Sequence, residues 1–178
     1  MERQFHGLSL QLVKGDITRQ ADLDAVVNAA NAQLTVGGGV AGAIHRQAGP
    51  ELDEACRPLA PISPGQAVMT PAFGLPNQHV IHCLGPVYGV DEPADQLLAR
   101  CYNRALDLAE EAGLGSLGFP AISTGAFGYP KRDAAAIALH VMMERAAGLT
   151  SVKLVRFILF SDDDRVLHQE ILSGLGMD

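Results

Sequence analysis

Basic residues are scarce in this chain. Thirteen lysines and arginines stand against 20 aspartates and glutamates, which gives a net charge of −7 and a pI of about 5.3. A protein that binds nucleic acid nonspecifically normally presents a basic face to the phosphate backbone. We therefore expect no nonspecific nucleic-acid binding. A phosphate ligand is still compatible with this charge, because backbone N–H groups and helix N-termini attract anions without carrying a formal charge.

Cysteines and long apolar runs are also rare. Cys56, Cys83 and Cys101 are widely spaced and form no C-x-x-C pair, so they read as reduced thiols of an intracellular protein without a zinc motif. No run of 18 apolar residues occurs, and the first six residues have no apolar segment of the signal-peptide type. We therefore predict a cytoplasmic protein with no membrane-spanning helix, no metal and no cofactor.

The chain shows no internal repeat, low-complexity segment or linker. Its 178 residues, 48% of them apolar, suit a single globular domain over residues 1–178. Apolar periodicity predicts strands over 8–13, 25–27, 65–70, 79–84, 117–122 and 152–160, and helices over 40–48, 50–57, 93–112, 131–147 and 162–172. This order predicts an α/β fold, a three-layer α/β/α sandwich around a central mixed sheet.

Two asparagines and three glycines follow the second predicted strand. Asn28 and Asn31 bring carboxamides to the end of that strand, and Gly37–Gly39 then lead into a helix. Glycines allow positive φ and close approach of a ligand, while a helix N-terminus favours an anion. Amide side chains beside such a loop suit a sugar phosphate. The alternative is that the glycines only make a tight connection.

The glycines also match a dinucleotide fingerprint, but poorly. Gly37, Gly39 and Gly42 have the G-x-G-x-x-G spacing. That fingerprint requires the first glycine directly after a strand and an acidic residue about 20 positions later. Here the gap before Gly37 is long, and Asp53 and Glu54 come too early. A Rossmann dehydrogenase is therefore disfavoured.

A second distinctive loop lies at residues 123–130, Ser-Thr-Gly-Ala-Phe-Gly-Tyr-Pro. It combines glycines, hydroxyls and aromatic rings between a predicted strand and a predicted helix. Such a loop offers a pocket lined by N–H groups, with an aromatic ring available to pack on a sugar. Taken alone, it is also compatible with a plain turn.

Several acidic and histidine residues have both a structural and a functional interpretation. Asp16 follows the first strand, where it suits a helix cap or an acceptor for an exocyclic amine such as that of adenine; capping is favoured. Asp162, Asp163 and Asp164 suit Mg²⁺ or, more commonly, the first turn of a helix. His79-x-x-His82 resembles a metal pair, but residues three apart on a strand face opposite sides, so a structural role is favoured.

Together these segments resemble the macrodomain family, the ADP-ribose-binding fold. They occur in the family's order and span nearly the whole chain. The matching segments are Gly15-Asp16-Ile17-Thr18, 24–31, 37–49, His82-Cys83-Leu84-Gly85-Pro86 and 123–130.

The resemblance implies a role for each site residue. Asp16, helped by the Ile17 amide, would accept the adenine amine, and Phe160 would pack against the adenine ring. Asn31 would hold the hydroxyls of the distal ribose and, with Gly39, would form the catalytic pair. The phosphates and the distal ribose would lie against Gly38, Gly39, Val40, Ser123, Thr124, Gly125, Ala126 and Phe127.

The resemblance also implies an activity. The segment 44–49, Ile-His-Arg-Gln-Ala-Gly, is similar to the MacroD-like hydrolase branch, which typically carries an aspartate two residues after the last loop glycine. Here that position is Ala41. His45 is a less favoured candidate assistant, because a residue inside the helix that follows the loop can face away from the site. We expect binding of ADP-ribose and of mono-ADP-ribosylated proteins, with hydrolysis of ADP-ribose esters on Asp or Glu, or of O-acetyl-ADP-ribose. The alternatives are a non-catalytic ADP-ribose reader and a Mg²⁺-dependent phosphatase using the acidic run.

Overall fold

The computed structural model of the chain describes residues 1–175. The strands are β1 (Glu2–Phe5), β2 (Leu8–Lys14), β3 (Ala25–Ala29), β4 (Ala67–Pro71), β5 (His79–Cys83), β6 (Ser116–Phe119) and β7 (Leu154–Leu159). The α-helices are α1 (Gly39–Ala48), α2 (Pro50–Cys56), α3 (Ala94–Glu111), α4 (Lys131–Ala146) and α5 (Asp162–Gly174). Two short 3₁₀ helices, Ile17–Arg19 and Arg57–Leu59, complete the secondary structure of this part of the chain.

The strands form one mixed sheet in the order β1-β2-β7-β6-β3-β5-β4. The five inner strands are parallel; β3, for example, pairs with β5 from Ala25 opposite His79 to Ala29 opposite Cys83. The two edge strands, β1 and β4, are antiparallel to their neighbours. The predicted mixed sheet is confirmed.

Helices cover both faces of the sheet. Along β3, Ala25 and Val27 point to one core and Val26 to the other, as the two-residue period of a strand requires. The first core is completed by α3, α4 and α5, and the second by α1 and α2. The inner strands are apolar on both faces, as expected of a buried parallel sheet. The predicted three-layer α/β/α sandwich is confirmed.

Strand β1 was missing from the sequence prediction. It pairs with β2 from Glu2 opposite Gln11 to Phe5 opposite Leu8, and within it only Phe5 is buried. An edge strand with one buried side chain is held mainly by backbone hydrogen bonds, so it shows little apolar periodicity. The other predicted elements are present with shifted ends; the last strand, for example, ends at Leu159 rather than at Phe160.

The parallel strands bring five chain segments to one edge of the sheet. Ligands of open α/β sheets bind beyond the carboxyl ends of the strands. Here β2, β3, β5, β6 and β7 all end at that edge. Within residues 1–175, no helix combines the length and the apolar character needed to cross a membrane.

Candidate functional site

A cavity of about 840 Å³ opens at this edge of the sheet. Each of the five parallel strands leads into a segment that lines it. These segments are Gly15–Ile17 after β2, the loop from Ala30 to Gly39 after β3, Gly85 after β5, 120–127 after β6 and Phe160 after β7. The volume lies within the range of small-molecule and cofactor sites, which is about 300–1,000 Å³.

Asp16 lies at one end of the cavity and caps the 3₁₀ helix Ile17–Arg19. Its Oδ1 accepts hydrogen bonds from the Thr18 backbone N–H at 2.9 Å and from the Thr18 hydroxyl at 2.7 Å. The hydroxyl bond first, and then the backbone bond, lower the pKa of the Asp16 carboxyl. The predicted capping role is confirmed, and the carboxylate is an ionised acceptor on the cavity wall.

Phe160 and Asp164 lie on the same side of the cavity. The side chain of Phe160 is 90% exposed, so one face of the ring is open to a planar ligand. Asp164 lines the wall on the first turn of α5, and its carboxylate accepts a hydrogen bond from Lys131 Nζ at 2.9 Å. The cap of α5 is Ser161, whose Oγ accepts the Asp164 N–H. The acidic run therefore occupies the first helical turn, where it complements the dipole.

The glycine loop after β3 forms another part of the wall. Gly37 and Gly39 have φ values of 58° and 56°, in the left-handed region that glycine adopts without strain. Gly38 is the N-cap of α1 and has no side chain to satisfy the first N–H groups of the helix. This helix end is therefore available to an anion. Ala41, 4% exposed, lines the cavity from the first turn of α1.

Asn31 lines the cavity between β3 and the glycine loop. Its side chain bonds to Thr35, four residues further along the chain. A Cβ added to Gly37 would lie 3.2 Å from Asn31 Nδ2, so the carboxamide and the first loop glycine are close neighbours. The carboxamide therefore shapes the glycine loop as well as presenting polar atoms to the cavity.

The loop at 123–127 offers free backbone donors. The N–H groups of Ser123, Gly125, Ala126 and Phe127 have no hydrogen-bond acceptor among residues 1–175, whereas the Thr124 N–H donates to the Ala121 carbonyl at 3.4 Å. Ser123 holds the loop with a left-handed φ of 69°, and its hydroxyl donates to the Pro86 carbonyl at 2.8 Å. Four of the five predicted amides are thus available to a ligand.

Two residues, Tyr102 and Gly85, fix the position of this loop. The Tyr102 hydroxyl on α3 accepts the Ile122 N–H at 3.2 Å. Gly85 packs so closely that an added Cβ would overlap Ser123 Oγ and would lie 2.6 Å from Ile122 Cγ2. Glycine is therefore required at position 85, because the loop that carries the free N–H groups packs directly on it.

A buried polar cluster lies on the α2 side of the sheet. His82 Nδ1 lies 3.1 Å from Asn28 Nδ2, and its Nε2 lies 2.9 Å from Thr70 Oγ1 and 3.7 Å from Cys56 Sγ. Asn28 is 1% exposed and is engaged by His82, so its carboxamide does not line the cavity, unlike that of Asn31. Burial lowers the pKa of His82 to about 3. These contacts support the structural role predicted for His82.

His45 does not lie on the cavity wall. Its ring is 5% exposed, and neither ring nitrogen has a hydrogen-bond partner among residues 1–175. Burial lowers the pKa of His45, and a positive charge on His45 would lower the pKa of His82 further. His45 therefore faces away from the site, as the favoured alternative predicts, because α1 turns this side chain inward.

All the predicted site residues reach one cavity. It is lined by Asp16, Ile17, Asn31, Gly38, Gly39, Val40, Ser123, Thr124, Gly125, Ala126, Phe127 and Phe160. Sequence reasoning missed the lining roles of Asp164, Gly85 and Ile158. All three could have been found from their positions at the carboxyl ends of parallel strands. Gly85 follows β5, Ile158 lies near the end of β7, and Asp164 lies in the first turn of the helix that follows β7.

Ionisable side chains are few on the wall. Of the residues described, Asp16 and Asp164 alone bring a charged group to it. The described residues include no group of three or more His, Cys, Asp or Glu placed to hold a metal ion. The polar groups of the cavity are therefore backbone N–H groups, the hydroxyls of Ser123 and Thr124, one carboxamide and two carboxylates.

Comparison with known proteins gives consistent results. A family model described as Macro domain matches residues 27–138. A macro domain-containing protein of Chlorobaculum tepidum is 46% identical, over 93% of this chain and 96% of its own length. A protein named O-acetyl-ADP-ribose deacetylase from Citrobacter rodentium is 44% identical, over 94% of this chain and 97% of its own. A substituted Oceanobacillus iheyensis macrodomain, solved with ADPR, is 38% identical and covers 100% of this chain and 99% of its own, with a TM-score of 0.95.

Proposed function

The chain belongs to the macrodomain family, and from this we propose that its cavity binds ADP-ribose and hydrolyses ADP-ribose esters. The esters are O-acetyl-ADP-ribose and mono-ADP-ribose on Asp or Glu side chains of proteins. The observation that carries the proposal is the common cavity, which brings an open aromatic ring, free loop amides and Asn31 together. The deacetylase name of the Citrobacter rodentium relative supports the ester chemistry.

The adenosine half of the ligand suits the end formed by Asp16 and Phe160. An ionised carboxylate accepts the hydrogen bond of an exocyclic amine, and the Thr18 bonds keep Asp16 ionised at neutral pH. The exposed Phe160 ring supplies a stacking surface, which is typically worth about 1–3 kcal/mol per base. Adenine satisfies both groups at once.

The diphosphate suits the middle of the cavity. The 123–127 loop, with four free N–H groups, and the uncapped start of α1 both line the cavity and support this assignment. N–H groups and a helix dipole stabilise phosphate charge without a lysine or arginine. This arrangement explains how a protein of net charge −7 binds an anionic nucleotide.

The distal ribose then reaches Asn31 and Gly39. Asn31 orients the ribose hydroxyls, and the glycine-loop backbone together with a phosphate oxygen holds the attacking water. The water adds to the ester carbonyl, and the ester separates into a carboxylic acid and a free ribose hydroxyl. With no ionisable side chain on this part of the wall among the residues described, the substrate's own phosphate accepts a proton from the water and returns it to the ribose oxygen as the bond between the carbonyl carbon and that oxygen breaks.

The absence of a side-chain base predicts a slow enzyme. General-base catalysis typically contributes about 10²–10⁴-fold to a rate. Ala41 stands where the MacroD-like branch has its aspartate, and it lines the cavity with a methyl group. Ala41 also favours the second candidate function, a reader that binds ADP-ribose on modified proteins without chemistry.

Turnover of O-acetyl-ADP-ribose separates the two functions. Purified protein is incubated with the ester, and ADP-ribose is quantified by chromatography beside a no-enzyme control and Asn31→Ala. The hydrolase predicts release that rises with enzyme concentration and falls at least tenfold in the variant. Binding of the ester without release above the no-enzyme rate would leave only the reader.

A further inference from the structure

Asp164 occupies a defined position along the cavity. Four residues before it lies Phe160, the stacking surface at one end. Its carboxylate bonds at 2.9 Å to Lys131, and Lys131 begins α4 directly after the loop that carries the free N–H groups. Asp164 is therefore connected to Phe160 through the start of α5 and, through Lys131, to the helix that follows the N–H loop. In a nucleotide, the group between base and diphosphate is the ribose of the adenosine.

The Asp164 carboxylate is held in a fixed position on the cavity wall. The Asp164 side chain is 14% exposed, and its helix turn is fixed by the Ser161 cap and by Lys131. Lys131 does not line the cavity and is 56% exposed, so solvent screens its charge more than that of the carboxylate. Asp16 adds a second carboxylate at the same end; the Arg19 Nε lies 3.8 Å from it, on a side chain that is 85% exposed and so is screened by solvent. The adenosine end is thus acidic, whereas the diphosphate region is rich in N–H donors.

An acidic wall beside a ribose has a known consequence in dinucleotide sites. A carboxylate accepts hydrogen bonds from the 2′-hydroxyl, and a 2′-phosphate is accommodated where an arginine is present instead. A 2′-phosphate carries close to two negative charges at neutral pH. Juxtaposed like charges at a binding interface are strongly unfavourable.

We propose that Asp164 selects ligands by the adenosine ribose, accepting ADP-ribose with a free 2′-hydroxyl and rejecting ADP-ribose 2′-phosphate. The substrates are then those derived from the unphosphorylated dinucleotide. This inference rests on the proposed binding of ADP-ribose and adds the specificity of that same cavity. It assigns Asp164 a function beyond the helix turn that the sequence predicted for it.

The test is calorimetric titration of the full chain with ADP-ribose and with ADP-ribose 2′-phosphate. For wild type we expect at least tenfold weaker binding of the 2′-phosphate. Asp164→Asn keeps the shape of the side chain and removes its charge. In this variant the Kd for ADP-ribose 2′-phosphate should exceed the Kd for ADP-ribose by less than about threefold. Lys131→Met removes the cation that compensates the Asp164 charge and should increase the ratio of the two Kd values. Asp163→Asn is the matched control, because Asp163 is exposed on the same turn and does not line the cavity.

Each outcome decides the inference. A wild-type ratio near one overturns it, and so does an unchanged ratio in Asp164→Asn that still binds ADP-ribose. If the Kd ratio falls equally in Asp163→Asn and Asp164→Asn, the selectivity is a general effect of net charge, and this result also overturns the inference. If wild type binds neither nucleotide, the proposed function itself fails, which is distinct from failure of the selectivity alone.

Discussion

The carboxamide of Asn31 closes a ring of hydrogen bonds with Thr35. Its Oδ1 accepts the Thr35 N–H at 3.0 Å, and its Nδ2 donates to the Thr35 carbonyl at 3.2 Å and lies 3.0 Å from the Thr35 hydroxyl. An asparagine side chain that bonds to the backbone in this way fixes a turn. Asn31 therefore fixes the path of the chain into Gly37–Gly39 from a position on the cavity wall.

This relationship predicts a strong effect of Asn31→Ala on ADP-ribose binding. The variant loses the polar contact to the distal ribose and the hydrogen bonds that fix the loop, so we expect at least tenfold weaker affinity in calorimetry. Thr35→Val is the control, because it removes the hydroxyl and keeps both backbone bonds. Its affinity should stay within about threefold of wild type. Wild-type affinity in Asn31→Ala would contradict the assigned role.

Phe160→Ala separates binding from folding. The Phe160 ring is 90% exposed and packs against little of the protein, so the melting temperature should not change. Loss of base stacking should weaken ADP-ribose binding by about 1–3 kcal/mol, or roughly 5- to 150-fold. Binding of ribose 5-phosphate, which has no base, should be unaffected. An unchanged affinity for ADP-ribose would show that adenine binds elsewhere.

Ala41→Asp should accelerate ester hydrolysis. The added carboxylate would lie on the cavity wall and could accept the proton of the attacking water, so we expect an increase of about tenfold or more in kcat. Ala41→Asn adds similar volume without a base and serves as the matched control. Equal rates for the two variants, with ADP-ribose binding retained, would show that a base at position 41 is not what limits turnover.

The lowered pKa of His82 predicts that the folded chain loses stability in acid. The pKa of His82 is about 3 in the folded chain, against about 6.5 when unfolded. Between these pH values the unfolded chain binds more protons at His82 than the folded chain does. The contribution of neutral His82 to the free energy of unfolding is therefore fully present above about pH 6.5 and falls as the pH drops toward 3. The expected slope is on the order of 1 kcal/mol per pH unit. Burial lowers the pKa of His45 and His168 as well, which acts in the same direction.

Chemical denaturation at several pH values measures this slope. His82→Gln should flatten it, whatever its effect on stability at neutral pH. His79→Gln, on the same strand but only partly buried, is the control and should keep the wild-type slope. A wild-type slope in His82→Gln would assign the acid sensitivity to other groups.

The sequence predicted the parts of the site that depend on local chain chemistry. The glycines at 37–39 and the loop at 123–127 follow strands and precede helices, and parallel pairing alone brings them to one edge of the sheet. Asp16 was predicted correctly as a cap because its partner, Thr18, is two residues away. Such features are encoded within a few residues.

The parts that the sequence did not predict depend on distant contacts. Asp164 is held on the wall through Lys131, 33 residues earlier, a contact that spacing within the acidic run does not reveal. Strand β1 is stabilised by its backbone bonds to β2, so its side chains carry little of the pattern that marks a strand.

The central claim is that this cavity binds ADP-ribose and removes it from carboxylate esters. The most direct measurement follows release of ADP-ribose from a protein mono-ADP-ribosylated on Glu or Asp, with Asn31→Ala in parallel. We predict release by the wild-type chain and at least tenfold less by the variant. Stable binding of the modified protein, with no release above the no-enzyme rate, would contradict the hydrolase and leave a reader of ADP-ribose.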